Sequence, residues 1–220
     1  MQLIEAIENR RSIRGFLPKP VPQEILRQVL ALGSRAISAN NIQPWEFWVV
    51  TGEPLDQLRR ANVEDLYGGA PEAEHMGVPS YGIYRERGKT IGKQLFTAMG
   101  IARDDREKRA WWSERGFRFF DAPATIFLCL DRDLDLEKFA FDIGCVAQNI
   151  CLAAMEFGLG TCVEDQAVMY QRGLRQLLKI PPDRRPVTGI AIGYPDESFP
   201  ANGVVSQRDP VDSVTTWVGF

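Results

Sequence analysis

A chain of 220 residues, 45% hydrophobic and 25% charged, has room for one ample globular domain and is short for two. A formal charge of −3 gives no basic surface of the kind that nucleic acid or an anionic membrane attracts, so neither is expected as a partner. Cys129, Cys145, Cys151 and Cys162 lie in apolar stretches without CxxC spacing, which reads as buried free thiols in a reducing compartment.

Residues 1–8 read as a short helix with Leu3, Ile4 and Ile7 on one side. Glu5, Glu8, Arg10 and Arg11 interrupt any secretory apolar run, so the expected location is the cytoplasm. A basic turn follows, Arg10-Arg11-Ser12-Ile13-Arg14-Gly15, and Pro18 and Pro20 keep the next stretch extended. From Pro22 a helix is expected, with Ile25, Leu26, Val29, Leu30 and Leu32 at helical spacing. Residues 38–44 form a polar loop, 45–51 an aromatic and β-branched strand, and 54–63 a helix.

The stretch 67–84, rich in Gly and Pro, reads as a mobile excursion over a site. Residues 86–118 read as helix broken near Gly100, and 125–130 as a short buried strand. Residues 136–157 are apolar nearly all round and carry Ala140, Gly144, Ala147, Ala153 and Ala154. A helix of that kind must be covered on every side, which points to a core helix shared with a second subunit. Asp142, Gln148, Asn149 and Glu156 argue against a membrane span there. Gly158 and Gly160 stop it. Residues 163–166 read as a polar turn, 169–179 as an amphipathic helix and 187–193 as a continuous apolar strand. The tail 204–220 is extended, and its Val211, Val214, Trp217 and Phe220 need a surface to lie on. Few strands separated by helices argue for an α+β fold.

Hydrolytic and metal chemistry find little support. His75 is the one histidine, no His/Cys set has metal-ligand spacing, and neither GxSxG nor a glycine-rich phosphate loop occurs. An enzyme of this composition would rely on a cofactor. Four segments could hold one. Arg10, Arg11 and Arg14 supply forked donors for a phosphate or for a reduced flavin edge, although a solvated helix end would look the same. Residues 38–45 (SANNIQPW) offer a hydroxyl and three amides to a heterocycle, or simply a capping loop. Residues 158–165 (GLGTCVED) present backbone donors at a helix end, and Arg208 stands alone in the tail.

In conjunction these segments resemble the nitroreductase superfamily of FMN enzymes. The match comprises RRSIR at 10–14, SANNIQPW at 38–45, the buried helix running into GLGTCVED at 158–165, GIAIGYPDE at 189–197, and Arg208 ahead of Pro210. The resemblance implies a three-layer α/β/α sandwich around a small, mainly antiparallel sheet, with all of 1–220 in one FMN-binding domain. It implies an intertwined homodimer in which the tail, about 204–220, reaches over the neighbouring subunit. Arg10, Arg11, Ser12 and Arg14 would bind FMN from one subunit, joined at the phosphate by Arg208. Ser38, Ala39, Asn41 and Gln43 would approach from the other. Val163, Glu164 and Asp165 would line the reactive edge. Two departures stand out: Ile37 where many relatives have Pro, and the Glu164-Asp165 pair where relatives vary.

The implied activity is ping-pong reduction of nitroaromatic, quinone or related small aromatic acceptors by NADH or NADPH through FMN, with no side-chain acid required. Other flavin reactions of the superfamily (reductive dehalogenation, flavin fragmentation, enoate reduction) and a non-catalytic flavin sensor or carrier are the alternatives. The variable segment, about 66–120, is expected to set the acceptor. Its Tyr81, Trp112, Phe119 and Phe120 are candidates for the slot, with core packing as the competing role. Arg85, Arg87, Arg103, Arg106 and Arg115 are candidates for holding an acidic substrate, or form a solvated helix face. Gly100–Arg103 and the Phe119-Phe120 pair before Ala122-Pro123 look like the branch that includes nitrobenzoate reductases.

Overall fold

Side chains on successive residues of a strand point to opposite faces of the sheet. That alternation sorts the core. The computed structural model describes residues 2–70 and 81–220; His75 and most of the expected excursion lie outside them. Strand β2 (Ala124–Asp131) is buried along nearly its whole length. Its Ala124, Ile126, Leu128 and Leu130 join a cluster with helices α2 (Gln23–Gly33) and α6 (Leu136–Glu156). Its Phe127 and Cys129 point the other way, to Leu55 and Leu58 of α3 (Gly52–Gly68) and Leu174 of α7 (Gln171–Leu178). Strand β4 (Arg184–Gly193) repeats the division, with Ile190 and Ile192 on the first side and Ala191 on the second. With β1 (Trp45–Thr51) and β3 (Gly160–Glu164) they form an antiparallel sheet in the order β1-β2-β4-β3. The result is the expected three-layer α+β sandwich. Each fully buried Leu, Ile or Phe in it contributes roughly 1.5–3 kcal/mol.

Helix α6 starts at Asp135, whose carboxylate accepts from Glu137 N at 3.0 Å, and is stopped by Gly158 at φ +67°. By length and composition it could cross a membrane, yet Phe139, Ile143, Val146, Ile150 and Ala154 pack on the sheet and α2. The opposite stripe is bare. Phe141 is 66% exposed, Gly144 and Gln148 face outward, and Cys145, Leu152 and Met155 are half-buried. Leu3, Ile4 and Ile7 of α1 (Leu3–Asn9) are also exposed, as are Val211, Val214, Trp217 and Phe220 of the tail.

Several boundaries differ from the sequence reading. The expected excursion 67–84 is helical at both described ends, because α3 runs to Gly68 and α4 begins early (Gly82–Ala98). The last turn of α3 is held by Tyr67, whose hydroxyl donates to Glu114 at 2.8 Å, and by Leu66 packed on Phe117, Met169 and Tyr170. The break near Gly100, at φ +63°, separates α4 from α5 (Arg106–Phe117). The expected polar turn at 163–166 is strand in its first half, where Val163 and Glu164 complete β3 through pairing with Ile190 and Gly189, and turns at Asp165 and Gln166. The four cysteines are free, Cys145 half-buried and the others buried.

Candidate functional site

The basic turn is pressed onto β3. Ser12 bridges Thr161 in parallel, and Ile13 N donates to Thr161 O at 2.9 Å. Gly160 allows this approach, since a Cβ there would stand 2.4 Å from Ile13 Cγ1. A Cβ on Gly15 would fall 2.1 Å from the Phe199 ring. Asn202, only 3% exposed, ties the turn from below. Its Oδ1 accepts from Arg14 N and Gly15 N at 2.7 and 3.1 Å, and its Nδ2 donates to Gly15 O and Asp196 O at 2.7 and 2.9 Å. From α5, Arg115 Nη2 donates to Arg14 O at 2.8 Å. The backbone is thus fixed while the guanidinium groups of Arg10, Arg11 and Arg14 form no ion pair among the described residues.

β3 is an edge strand whose outer side is paired only around Thr161. Beyond it Val163, 46% exposed, and Asp165 border a cavity of about 460 Å³ that Arg14 also lines. Trp112 and Phe120 form an aromatic wall, their centroids 6.4 Å apart, with the Arg14 guanidinium 5.9 Å from the Phe120 ring. Phe96 of α4 and Arg109 of α5 line the cavity too, the guanidinium carbon 4.1 Å from the centre of the Phe96 ring.

Glu164 belongs to the same lining but is only 7% exposed, and both carboxyl oxygens are buried without a hydrogen bond. Burial raises its pKa well above the usual carboxylate range; Arg14 opposes the shift and Asp165 adds to it. Burial of a carboxyl without a partner disfavours its charged form. Burial also pushes the neighbouring Cys162 thiol up to about 12 against the pull of Arg14, which removes it as a thiolate nucleophile.

Other expected site residues lie apart from this cavity. Ser38, Ala39, Asn41 and Gln43 do not line it. Their loop is seated on α6, with Ala39 N donating to Asp142 Oδ2 at 3.3 Å, and is closed by Gln43 N donating to Ser38 Oγ at 3.1 Å. Asn40, Asn41 and Gln43 hold φ of +50°, +57° and +49°. Asp142 lies one helical turn before Cys145 of the bare stripe, so the loop is anchored at its border. Arg208 lines a second cleft, about 940 Å³, with Tyr84 and Arg87 of α4; its Nη1 donates to Ser206 O and Oγ at 3.1 and 2.9 Å. None of Arg10, Arg11, Ser12 or Arg14 lines that cleft.

Among the acceptor candidates, Trp112 and Phe120 reach the cavity. Tyr81 does not line it; it precedes α4, 68% exposed and edge-on to Tyr84. Phe119 is corrected to a core residue, fully buried with its ring edge-on to Phe127 at 5.7 Å. A left-handed turn parts these neighbours, with φ of +55°, +50° and +57° at Phe119, Phe120 and Asp121. Arg115 and Arg118 clamp it through Asp121 at 2.9 and 2.6 Å. Arg115 therefore serves structure rather than substrate, and Arg87 pairs with Asp209. The sequence reading missed Asn202 and Arg109. Nothing local marks Asn202, whereas Arg109, Trp112 and Ser113 have the i, i+3, i+4 spacing of one helix face.

FMN suits this chemistry. Unpaired guanidinium groups match its phosphate, and a free strand edge bordering an aromatic-walled cavity matches a planar heterocycle with polar edges. The sequence profile of the Nitroreductase family matches residues 7–194. The chain belongs to the nitroreductase family. It is 36% identical over 219 residues to a chloronitrobenzene nitroreductase of Comamonas testosteroni, covering 97% of this chain and 96% of that one. It is 30% identical over 224 residues to a 4-nitrobenzoate reductase of a Nocardioides species, covering 96% and 88%. The crystal structure of an FMN and NADPH-dependent nitroreductase, NfnB from a Sphigopyxis strain, superposes with a TM-score of 0.94 over 100% of both chains at 31% identity.

Proposed function

We propose that this member of the nitroreductase family is an FMN-dependent NAD(P)H oxidoreductase that reduces nitroaromatic, quinone or related small aromatic acceptors by two-electron ping-pong exchange. The observation that carries the reading is the fixed, unpaired Arg14 at an aromatic-walled cavity on the free edge of β3. When bound, FMN supplies the two-electron exchange between nicotinamide and acceptor.

The protein's part is binding, orientation and charge. Arg10, Arg11, Ser12 and Arg14, with Arg208, hold the phosphate, and Arg14 also offsets negative charge on the reduced ring. Backbone groups of Val163, Glu164 and Asp165 meet the polar edge of the ring. Trp112 and Phe120 receive the donor and acceptor rings in turn.

The working unit is a homodimer, with the whole chain acting as one domain. Three uncovered apolar surfaces support it: the α6 stripe, α1 and the tail 204–220. A second copy docked along α6 would bring its loop of Ser38, Ala39, Asn41 and Gln43 to the flavin. The segment 66–120 then sets acceptor choice. The cytoplasm, where the nicotinamide donor is plentiful, suits the reaction.

Purified protein should be yellow, bleach with NADPH or NADH, and recover its colour on adding a nitroarene or quinone. A colourless protein that cannot take up FMN overturns the reading.

A further inference from the structure

The cavity wall carries a cation for which the flavin reading gives no task. Arg109, Trp112 and Ser113 share one face of α5, and all three line the cavity. The Arg109 guanidinium carbon lies 4.1 Å from the centre of the Phe96 ring, and the residue is half-buried. A guanidinium whose carbon packs on a ring still carries five N–H donors that can meet a planar anion. No carboxylate among the described residues forms an ion pair with it. Lys108 pairs with Asp105, Arg115 with Asp121, and Arg118 with Glu114 and Asp121; Arg103 and Arg106, also without an ion pair among the described residues, are exposed and do not line the cavity. A guanidinium without an ion pair beside an apolar wall gains more from a carboxylate than from an uncharged substituent, because the charge-assisted contact is the stronger one.

Arg109 faces the cavity together with Arg14, and the two acidic groups of the lining, Glu164 and Asp165, form no ion pair with Arg109.

We propose that Arg109 is a specificity-determining residue that selects aromatic acceptors bearing an anionic substituent, a carboxylate above all, by pairing its guanidinium with that group. The proposal rests on the reductase reading given above. It separates this chain from what the name of its chloronitrobenzene-reducing relative suggests, since chloronitrobenzene carries no such charge.

The test uses full-length, FMN-loaded protein with Arg109→Gln and Arg109→Lys. Benzoate and uncharged benzamide, neither of them reducible here, are titrated against the flavin absorption spectrum. Steady-state rates are taken for 4-nitrobenzoate, 4-nitrotoluene and NADPH. For Arg109→Gln, benzoate affinity and kcat/KM for 4-nitrobenzoate should each fall about tenfold or more relative to their uncharged counterparts, the loss of one charge-assisted contact. Arg109→Lys should recover part of that loss. Equal losses for charged and uncharged rings, or a loss confined to NADPH, overturn the proposal; the latter would assign Arg109 to the phosphates of the donor. If neither nitroarene reoxidises the flavin, the reductase reading fails, and the benzoate titration still decides the role of Arg109.

Discussion

The two polar segments singled out in the sequence are built in opposite ways. The turn at 10–15 is fastened by Asn202, Thr161 and Arg115 and packed so closely that Gly15 and Gly160 leave no room for a methyl group. The loop at 38–43 is largely exposed, bends through three positive-φ residues and is seated on α6 through Ala39 N and Asp142. One segment is finished by its own chain, whereas the other sits beside the uncovered stripe of α6. A binding site whose halves come from two copies would show this asymmetry when a single copy is viewed.

The comparison can be strained from either end. Asn202→Ala should do the most damage, because it strands Arg14 N and Gly15 N and removes one of two donors from each of Gly15 O and Asp196 O; a loss of ~2–4 kcal/mol is expected in urea unfolding. A loss under about 0.5 kcal/mol, the range of an ordinary surface change, would mean that the turn is not held as described. Arg14→Ala should leave the fold intact while weakening FMN binding by about tenfold to a hundredfold in a fluorescence titration, the range for a contact to a charged group. It should also slow flavin reduction by the nicotinamide. Unchanged affinity and rate would remove Arg14 from the site.

Glu164 ranks next. Its folded-state pKa lies above that of the unfolded chain, so between the two values the folded protein keeps a proton that the unfolded chain has released. Stability from this group is therefore full below the ordinary carboxylate range and declines as pH rises beyond it, by at most roughly 1.4 kcal/mol per pH unit. Glu164→Gln should flatten that decline in a series of melts from acid to mildly alkaline pH. A variant that tracks the native slope would place an ionised, solvated carboxylate there instead. Asp142→Ala should have the smallest effect on stability, ~1 kcal/mol for a single lost hydrogen bond, yet lower flavin retention more than that figure implies. Equal proportional losses at Asn202 and Asp142 would erase the difference between the two segments.

What could be read in advance depended on the range of the signal. Helix α6 and strand β1 announce themselves through local pattern, the one apolar all round and the other aromatic and β-branched, and both appear within a residue of their expected bounds. The basic turn and the loop were legible as chemistry. Strand β3 was misread at 163–164 because Glu164 and Asp165 look solvated, while strand character came from pairing with residues about 25 positions later. Phe119 and Phe120 are indistinguishable in sequence; both join one buried cluster, and a left-handed backbone leaves only Phe120 at its rim, where it also lines the cavity. Asn202 stayed hidden for the reason that hid β3, since its partners lie nearly the whole chain away. The breadth of the apolar surface of α6 was visible, but one chain covers only part of it.

The claim that the flavin is held between two copies is tested most directly by pairing complementary defects. Arg14→Ala chains and chains carrying both Ser38→Ala and Asn41→Ala are co-expressed with different tags, and the mixed pair is purified through both. Flavin per pair is then measured beside each pure variant. The account predicts that the mixed pair holds one tightly bound flavin where each pure variant holds little, because one of its two sites draws both halves from unaltered segments. A mixed pair as poor in flavin as its parents would contradict it and return the site to a single chain.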